Sequence, residues 1–325
     1  MSWARAFFAD RYPDFARLEP AFGNAGIATR HLCQPVEWYA QPHDWCERTE
    51  IYVESALALL ESATRAALAQ AEVTLDEVDA AVLVSSTGIA TPTLDVHLQQ
   101  RLGMRPDLVR LPIFGLGCAG GAIGLARAAA LARAMPGKTV LLLVVELCSQ
   151  TFRAGDLSKS NVIATALFGD GAAAAIVRAD ESDAPRLSAS GEHTWPDTMD
   201  VMGWSVERDG LGVIFSRDIP TLVREKMTPA LDSFLAPQSL SRADLGGYIV
   251  HPGGAKVLAA MEACFGLGSA ALDHARAVLR DYGNMSAPTV LFVLRRALDH
   301  GLAGRSVVSA LGPGFTVGFQ LLEAA

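Results

Sequence analysis

Three residues in this chain pair a reactive side chain with a backbone setting that could use it: Cys118, His251 and Asn284. Cys118 lies in GLGCAGG, a glycine-rich turn followed by small and apolar residues at helical spacing. A thiol where a turn opens a helix sits among unpaired backbone N–H groups at the positive end of the helix dipole, which favours thiolate and makes a nucleophile. A buried cysteine packed among small neighbours would have the same local sequence, so Cys118 alone leaves both readings open. Taken singly, His251 in VHPGG also reads as a turn residue, and Asn284 after Gly283 as a helix N-cap.

Their joint placement is more informative. Gly117-Cys118, a helix, Pro136-Gly137-Lys138 and a strand from Thr139 mirror Gly283-Asn284, a helix, Ala303-Gly304-Arg305 and a strand from Ser306. Cys118 precedes Thr139 by 21 residues and Asn284 precedes Ser306 by 22; the strand ending at Ser86 precedes Cys118 by 32, and that ending at His251 precedes Asn284 by 33. One fold unit used twice puts Cys118 and Asn284 at equivalent helix N-termini. It also puts His251 just past the carboxyl end of a strand, where sites form in α/β sheets. Two such halves packed face to face bring all three residues to one centre.

The elements that must hold them read as alternating helices and buried strands. Helices are expected over Ala6–Leu18, Glu50–Ala71, Leu94–Leu102, Ile219–Phe234, Ala255–Cys264 and Met285–His300, besides the one after Cys118. Strands are expected over Val78–Ser85, Thr139–Leu147, Ala172–Val177, Gly247–Val250 and Ser306–Leu311. This alternation implies an α/β protein with covered sheets. The composition turns polar from about Asp180 to Asp200, which divides the chain into an N-terminal half, 1–185, carrying the cysteine and a C-terminal half, 186–325, carrying His and Asn.

Composition excludes several classes. With 325 residues, 50% hydrophobic and only 19% charged, the chain can bury a large core. A formal charge of −8 argues against a nucleic-acid partner, because phosphate neutralisation needs surplus Lys and Arg. The five cysteines have neither CxxC nor Cys/His metal spacing, so no metal site or disulfide framework is indicated, and a reducing cytoplasm fits. MSWARAFFADRYPDF lacks an apolar core of signal-peptide type, and the longest apolar strand is too short for a membrane span.

Five motifs in order carry a resemblance: GLGCAGG at Cys118, ALFGDGAAAA from Ala166, VHPGG from Val250, GNMSAPTVLFVL from Gly283 and GPGFT from Gly312. Together they resemble type III polyketide synthases, the chalcone and stilbene synthase family, and among them the bacterial alkylpyrone and alkylresorcinol synthases. The resemblance implies a thiolase-like fold of two pseudo-repeated halves in αβαβα layers with mixed five-stranded sheets, and a homodimer. It further implies that Cys118 accepts an acyl group from acyl-CoA, that His251 helps hold it as thiolate, and that His251 and Asn284 stabilise the enolate of decarboxylating malonyl-CoA. Coenzyme A thioesters would be the substrates, with no cofactor. Members of the family usually carry further residues, including a first strand, before the stretch matching Ala6 to Tyr12.

By the same resemblance Phe168 matches the gatekeeper between CoA tunnel and cavity, and Thr151, Ser86, Thr87 and Gly314 of GPGFT fall at the substrate pocket. Arg30 is a candidate for the CoA phosphates. Val213 stands where plant members have a second gatekeeper Phe, which implies a roomier pocket and a fatty acyl starter. A β-ketoacyl synthase III making one condensation shares the Cys, His and Asn, and a non-catalytic dimeric scaffold would share the fold.

Overall fold

A computed structural model describes residues 7–9, 11–12, 15–180 and 184–324. Helices α1 (Phe15–Asn24) and α2 (Trp45–Ala71) come first, then β1 (Val78–Val84), α3 (Leu94–Leu102), β2 (Val109–Ile113), α4 (Gly120–Ala134), β3 (Thr139–Leu147), α5 (Lys159–Leu167) and β4 (Asp170–Val177). The remainder forms β5 (Arg186–Thr194), β6 (Met202–Glu207), β7 (Gly210–Phe215), α6 (Ile219–Leu235), β8 (Gly247–Val250), α7 (Ala255–Phe265), α8 (Asp273–Tyr282), α9 (Pro288–Asp299), β9 (Gly304–Gly312) and β10 (Thr316–Ala324).

The first sheet has the order β2-β1-β3-β4, with β4 antiparallel to β3 and the rest parallel. The second runs β5-β10-β9-β8, with only β8 and β9 parallel. Among the described residues each sheet has four strands where five were expected. The hairpin β6–β7 extends neither sheet, because its strands pair only with each other.

The layers follow from the two-residue side-chain period of buried strands. On β1 and β3, Val82, Val84, Leu142 and Val144 face a central core shared with α4 and α9, whereas Leu83, Leu141 and Leu143 face α2 and its Tyr52, Leu57 and Leu60. The second sheet contributes Val308, Ala310, Val317 and Phe319 to the central core, which continues into Val223 and Met227 of α6 and Met261 of α7. Helix, sheet, helix pair, sheet, helix is the expected stack.

At the centre, α4 and α9 are the matched helices of the two halves. They approach so closely that a Cβ on Gly121 would lie 2.2 Å from the Ala287 carbonyl oxygen and 2.6 Å from Val290. Glycine is required there by space.

Several boundaries differ from expectation. Within the range expected as a helix, Ala6–Leu18, Phe7, Phe8 and Phe15–Leu18 are helical, the last as the start of Phe15–Asn24 with Pro20 inside it, while residues 6, 10, 13 and 14 lie outside the described residues. Helix α2 starts five residues early, because Asp44 caps it by accepting a hydrogen bond from the Glu47 N–H (2.9 Å). The polar stretch before Asp200 holds strand β5, whose alternating half-buried and exposed residues hide it. Residues 181–183, also in that stretch, lie outside the described residues.

Candidate active site

Cys118 sits in a single 3₁₀ turn, Gly117–Ala119, that runs directly into α4. Gly117 has φ +46°, and a Cβ there would stand 2.6 Å from Pro313, so both backbone and space demand glycine. Ser86, at the end of β1, steadies the loop: its Oγ accepts hydrogen bonds from the N–H groups of Gly115 (3.1 Å) and Gly117 (3.2 Å). Two halves of the sheet scaffold thereby place one thiol.

His251 follows β8, its N–H donating to the Ser309 carbonyl at 2.8 Å. Its ring is buried, and neither Nδ1 nor Nε2 has a hydrogen-bond partner. Asn284 is tied to the first half by a bridge with Phe168: the Asn284 N–H donates to Leu167 O (2.9 Å) and Gly169 N–H to Asn284 O (3.0 Å). Its Oδ1 accepts from the Ser286 N–H at 2.8 Å and its Nδ2 donates to the Gly253 carbonyl at 3.3 Å, which orients the amide. Cys118 Sγ then lies 4.0 Å from Asn284 Oδ1. Neither Cys118 nor Asn284 is the formal cap of its helix; Ala119 and Ala287 hold those places.

All three residues line one cavity together with Phe168, Val213, Trp204 and Met202. Burial raises the Cys118 thiol to about 11 despite the hydrogen bonds of Ser286 and Asn284, and burial lowers His251 to about 3. In both groups burial disfavours the charged form and so opposes the thiolate that the helix end favours.

A second cavity shares Phe168 as a wall and is lined by Thr151, Cys148, Tyr39, Leu32, Val36 and Arg30, among others. Thr151 therefore belongs beside a pocket, though not the one that holds Cys118. Arg30 braces the chain: its Nη1 donates to the carbonyls of Thr165 and Phe168, the latter at 2.8 Å, and it does not line the Cys118 cavity.

Ser86 and Thr87, expected at the pocket, line neither cavity. Both are buried on Glu146: Ser86 N–H donates to its Oε2 at 2.9 Å and Thr87 Oγ1 at 2.8 Å. Gly314 is likewise a turn residue, with φ +65° and its carbonyl accepting from Thr198 Oγ1 at 3.0 Å; Pro313 beside it does the lining.

Three residues near the site escaped the motif reading. Glu146 is fully buried, with Oε1 unpaired, and burial raises its carboxyl to about 8. Ser286, in the left-handed region at φ +57°, lines the cavity and holds Asn284. Trp204 puts an indole into the cavity from β6.

Comparison with known proteins assigns the family. Residues 39–181 match the family model for chalcone and stilbene synthases, N-terminal domain, and residues 186–324 match the corresponding C-terminal domain. The chain belongs to the chalcone and stilbene synthase family. A putative chalcone synthase of Bacillus subtilis is 40% identical over 330 residues, covering 97% of this chain and 90% of that one. A 1,3,6,8-tetrahydroxynaphthalene synthase of Streptomyces peucetius is 41% identical over 320 residues, covering 95% and 84%. The crystal structure of the 1,3,6,8-tetrahydroxynaphthalene synthase of Streptomyces coelicolor, a bacterial type III polyketide synthase, superposes with a TM-score of 0.94 at 29% identity, covering 99% of this chain and 93% of that one. Germicidin synthase of the same organism gives 0.90 at 28%, covering 98% and 93%. This family member is accordingly a type III polyketide synthase with a thiolase-like fold, an acyltransferase that makes carbon–carbon bonds from CoA thioesters.

Proposed function

We propose that this synthase loads a fatty acyl group from acyl-CoA onto Cys118 and extends it with malonyl-CoA to alkylpyrone- or alkylresorcinol-type products. The observation that carries the chemistry is the convergence of Cys118, His251 and Asn284 on one cavity, with Sγ 4.0 Å from the Asn284 amide. As Cys118 attacks the thioester carbonyl, its proton passes to the neutral, unpartnered His251, and CoA leaves as the acyl enzyme forms. Malonyl-CoA then loses carbon dioxide. The negative charge developing on its thioester oxygen is met by N–H donors: the second hydrogen of Asn284 Nδ2, free of Gly253, and His251 once it carries the proton. The resulting enolate carbon attacks the Cys118 thioester carbonyl and the thiolate departs.

The apolar lining supports a hydrocarbon starter: Val213, Ile214, Val257 and Met261 on the catalytic side, Leu32, Val36 and Phe152 beyond Phe168. The reading extends to two functional halves divided near residue 185, a homodimer and a cytoplasmic setting. The test is a panel of acyl-CoA starters with isotopically labelled malonyl-CoA, products identified by mass spectrometry. Cys118→Ala is expected to lower condensation by at least about a thousand-fold. Retained condensation in that variant would sink the mechanism, and a single extension requiring malonyl-acyl carrier protein would replace it with a β-ketoacyl synthase III reaction.

A further inference from the structure

We infer that Thr289, in the first turn of α9, is the positioning residue that aims the Asn284 amide for the decarboxylation of malonyl-CoA. The inference deepens the proposed function and rests on its assignment of Asn284 to the developing enolate. Thr289 is fully buried and lines neither cavity, so it acts through other groups. A hydroxyl can donate and accept at once, and this one spends both capacities on the turn between Asn284 and the helix. Its Oγ1 accepts the Met285 N–H at 2.9 Å and donates to the Ser286 carbonyl at 2.8 Å. The Thr289 N–H donates to the same carbonyl at 3.1 Å. The outer polar groups of the Met285–Ser286 pair are thereby clamped, and the Ser286 N–H between them points at Asn284 Oδ1, 2.8 Å away.

The turn needs such a clamp. Ser286 stands at φ +57°, a left-handed conformation that a residue with a Cβ adopts at a cost and keeps only where its surroundings over-determine it. Pro288, at the head of α9, brings no N–H to the turn. Met285 is buried, so without the hydroxyl its N–H would lose its acceptor away from water. Upstream the backbone is already fixed by the bridge of Asn284 with Leu167 and Gly169. The hydroxyl therefore decides the path from Met285 to the helix, and with it one of two holds on the Asn284 amide, the other being Nδ2 to the Gly253 carbonyl at 3.3 Å. Once Ser286 relaxes, Oδ1 is released and the amide turns about the longer bond. The free Nδ2 hydrogen then leaves the enolate oxygen. Ser286 also hydrogen-bonds Cys118, so acylation of the thiol is the internal comparison for this step and not an untouched one.

The experiment measures steady-state decarboxylation of malonyl-CoA and, separately, acylation of Cys118 by octanoyl-CoA, in the full-length wild type, Thr289→Val, Thr289→Ser and Asn284→Ala. Thr289→Val keeps the shape and removes the hydroxyl. Its kcat for decarboxylation should fall at least about ten-fold with KM held within about two-fold, while acylation falls no more than about three-fold. Thr289→Ser restores the hydroxyl and should keep kcat within about three-fold of wild type. A merely structural role would lower both reactions together and would not follow the hydroxyl. Should Thr289→Val fail to fold, Thr289→Ala, which removes the hydroxyl without a second methyl group to place, carries the same comparison. Decarboxylation within about two-fold of wild type in a folded variant lacking the hydroxyl, or an equal loss in both reactions, overturns the role of Thr289 and leaves the proposed function standing. An Asn284→Ala variant that decarboxylates as fast as wild type overturns the part given to Asn284 in the proposed function, and this inference with it.

Discussion

Glu146 is the sole charged residue of β3, a strand otherwise made of Thr, Val and Leu and buried along its whole length. Burial raises its carboxyl to about 8 from an ordinary 4.5, although Ser86 and Thr87 donate to it. The folded protein thus keeps a proton that the unfolded chain releases. Its contribution to stability is complete below about pH 4.5 and is lost as pH rises through about 8. Glu146→Gln removes that titration, so between about pH 5 and pH 8.5 its stability should decline less than that of the wild type, by up to a few kcal/mol. Urea unfolding at a series of pH values measures the difference; parallel pH profiles would mean the carboxyl is ionised in the fold. A single charge in an apolar strand was the available sequence signal for Glu146. Cys118, His251 and Asn284 were legible because glycines and a repeated spacing mark them, whereas Ser286 and Trp204 owe their positions to a backbone conformation and a hairpin register that no local pattern announces.

At the scale of elements, the contact between α4 and α9 sets the geometry of the site, since Cys118 precedes one helix and Asn284 the other. Gly121→Ala places a methyl group against the Ala287 carbonyl and Val290. We expect a loss of about 1–3 kcal/mol, read as a lower urea midpoint, and a fall in condensation because the two helix starts are forced apart. A variant as stable as wild type would show that α9 shifts freely. The buried strands β1, β3, β8 and β9 were readable from their apolar runs. Strands β2, β5, β6, β7 and β10 were not, and for the first four there is a physical reason: β2 contains Pro112 and is largely exposed, β5 is a half-buried edge, and the hairpin strands are short and carry glycines. Edge and appended strands bury one face at most, so the hydrophobic signal that marks a central strand is absent.

For the molecule as a whole, the first sheet ends at β2, with no further strand beyond it among the described residues. Around that edge Ile89, Val109, Leu111 and Phe114 are 51%, 44%, 38% and 60% exposed. An unpaired edge with apolar side chains is a surface that invites cover, and a second copy of the chain is the cover the proposed homodimer supplies. Light scattering on the size-separated protein is expected to give a dimer for the wild type and a monomer for Leu111→Glu combined with Phe114→Glu; a monomeric wild type would refute the dimer.

The β6–β7 hairpin has a last consequence. The thiol, the imidazole and the amide hang on two interlocked sheets whose central helices are in close contact at Gly121, while the wall facing them is an appendage outside both sheets. The three converging side chains and the wall they face are thereby carried by separate parts of the fold. Exchanging residues 202–215 as a cassette is expected to reshape the cavity wall while leaving Cys118, His251 and Asn284 where the sheets hold them.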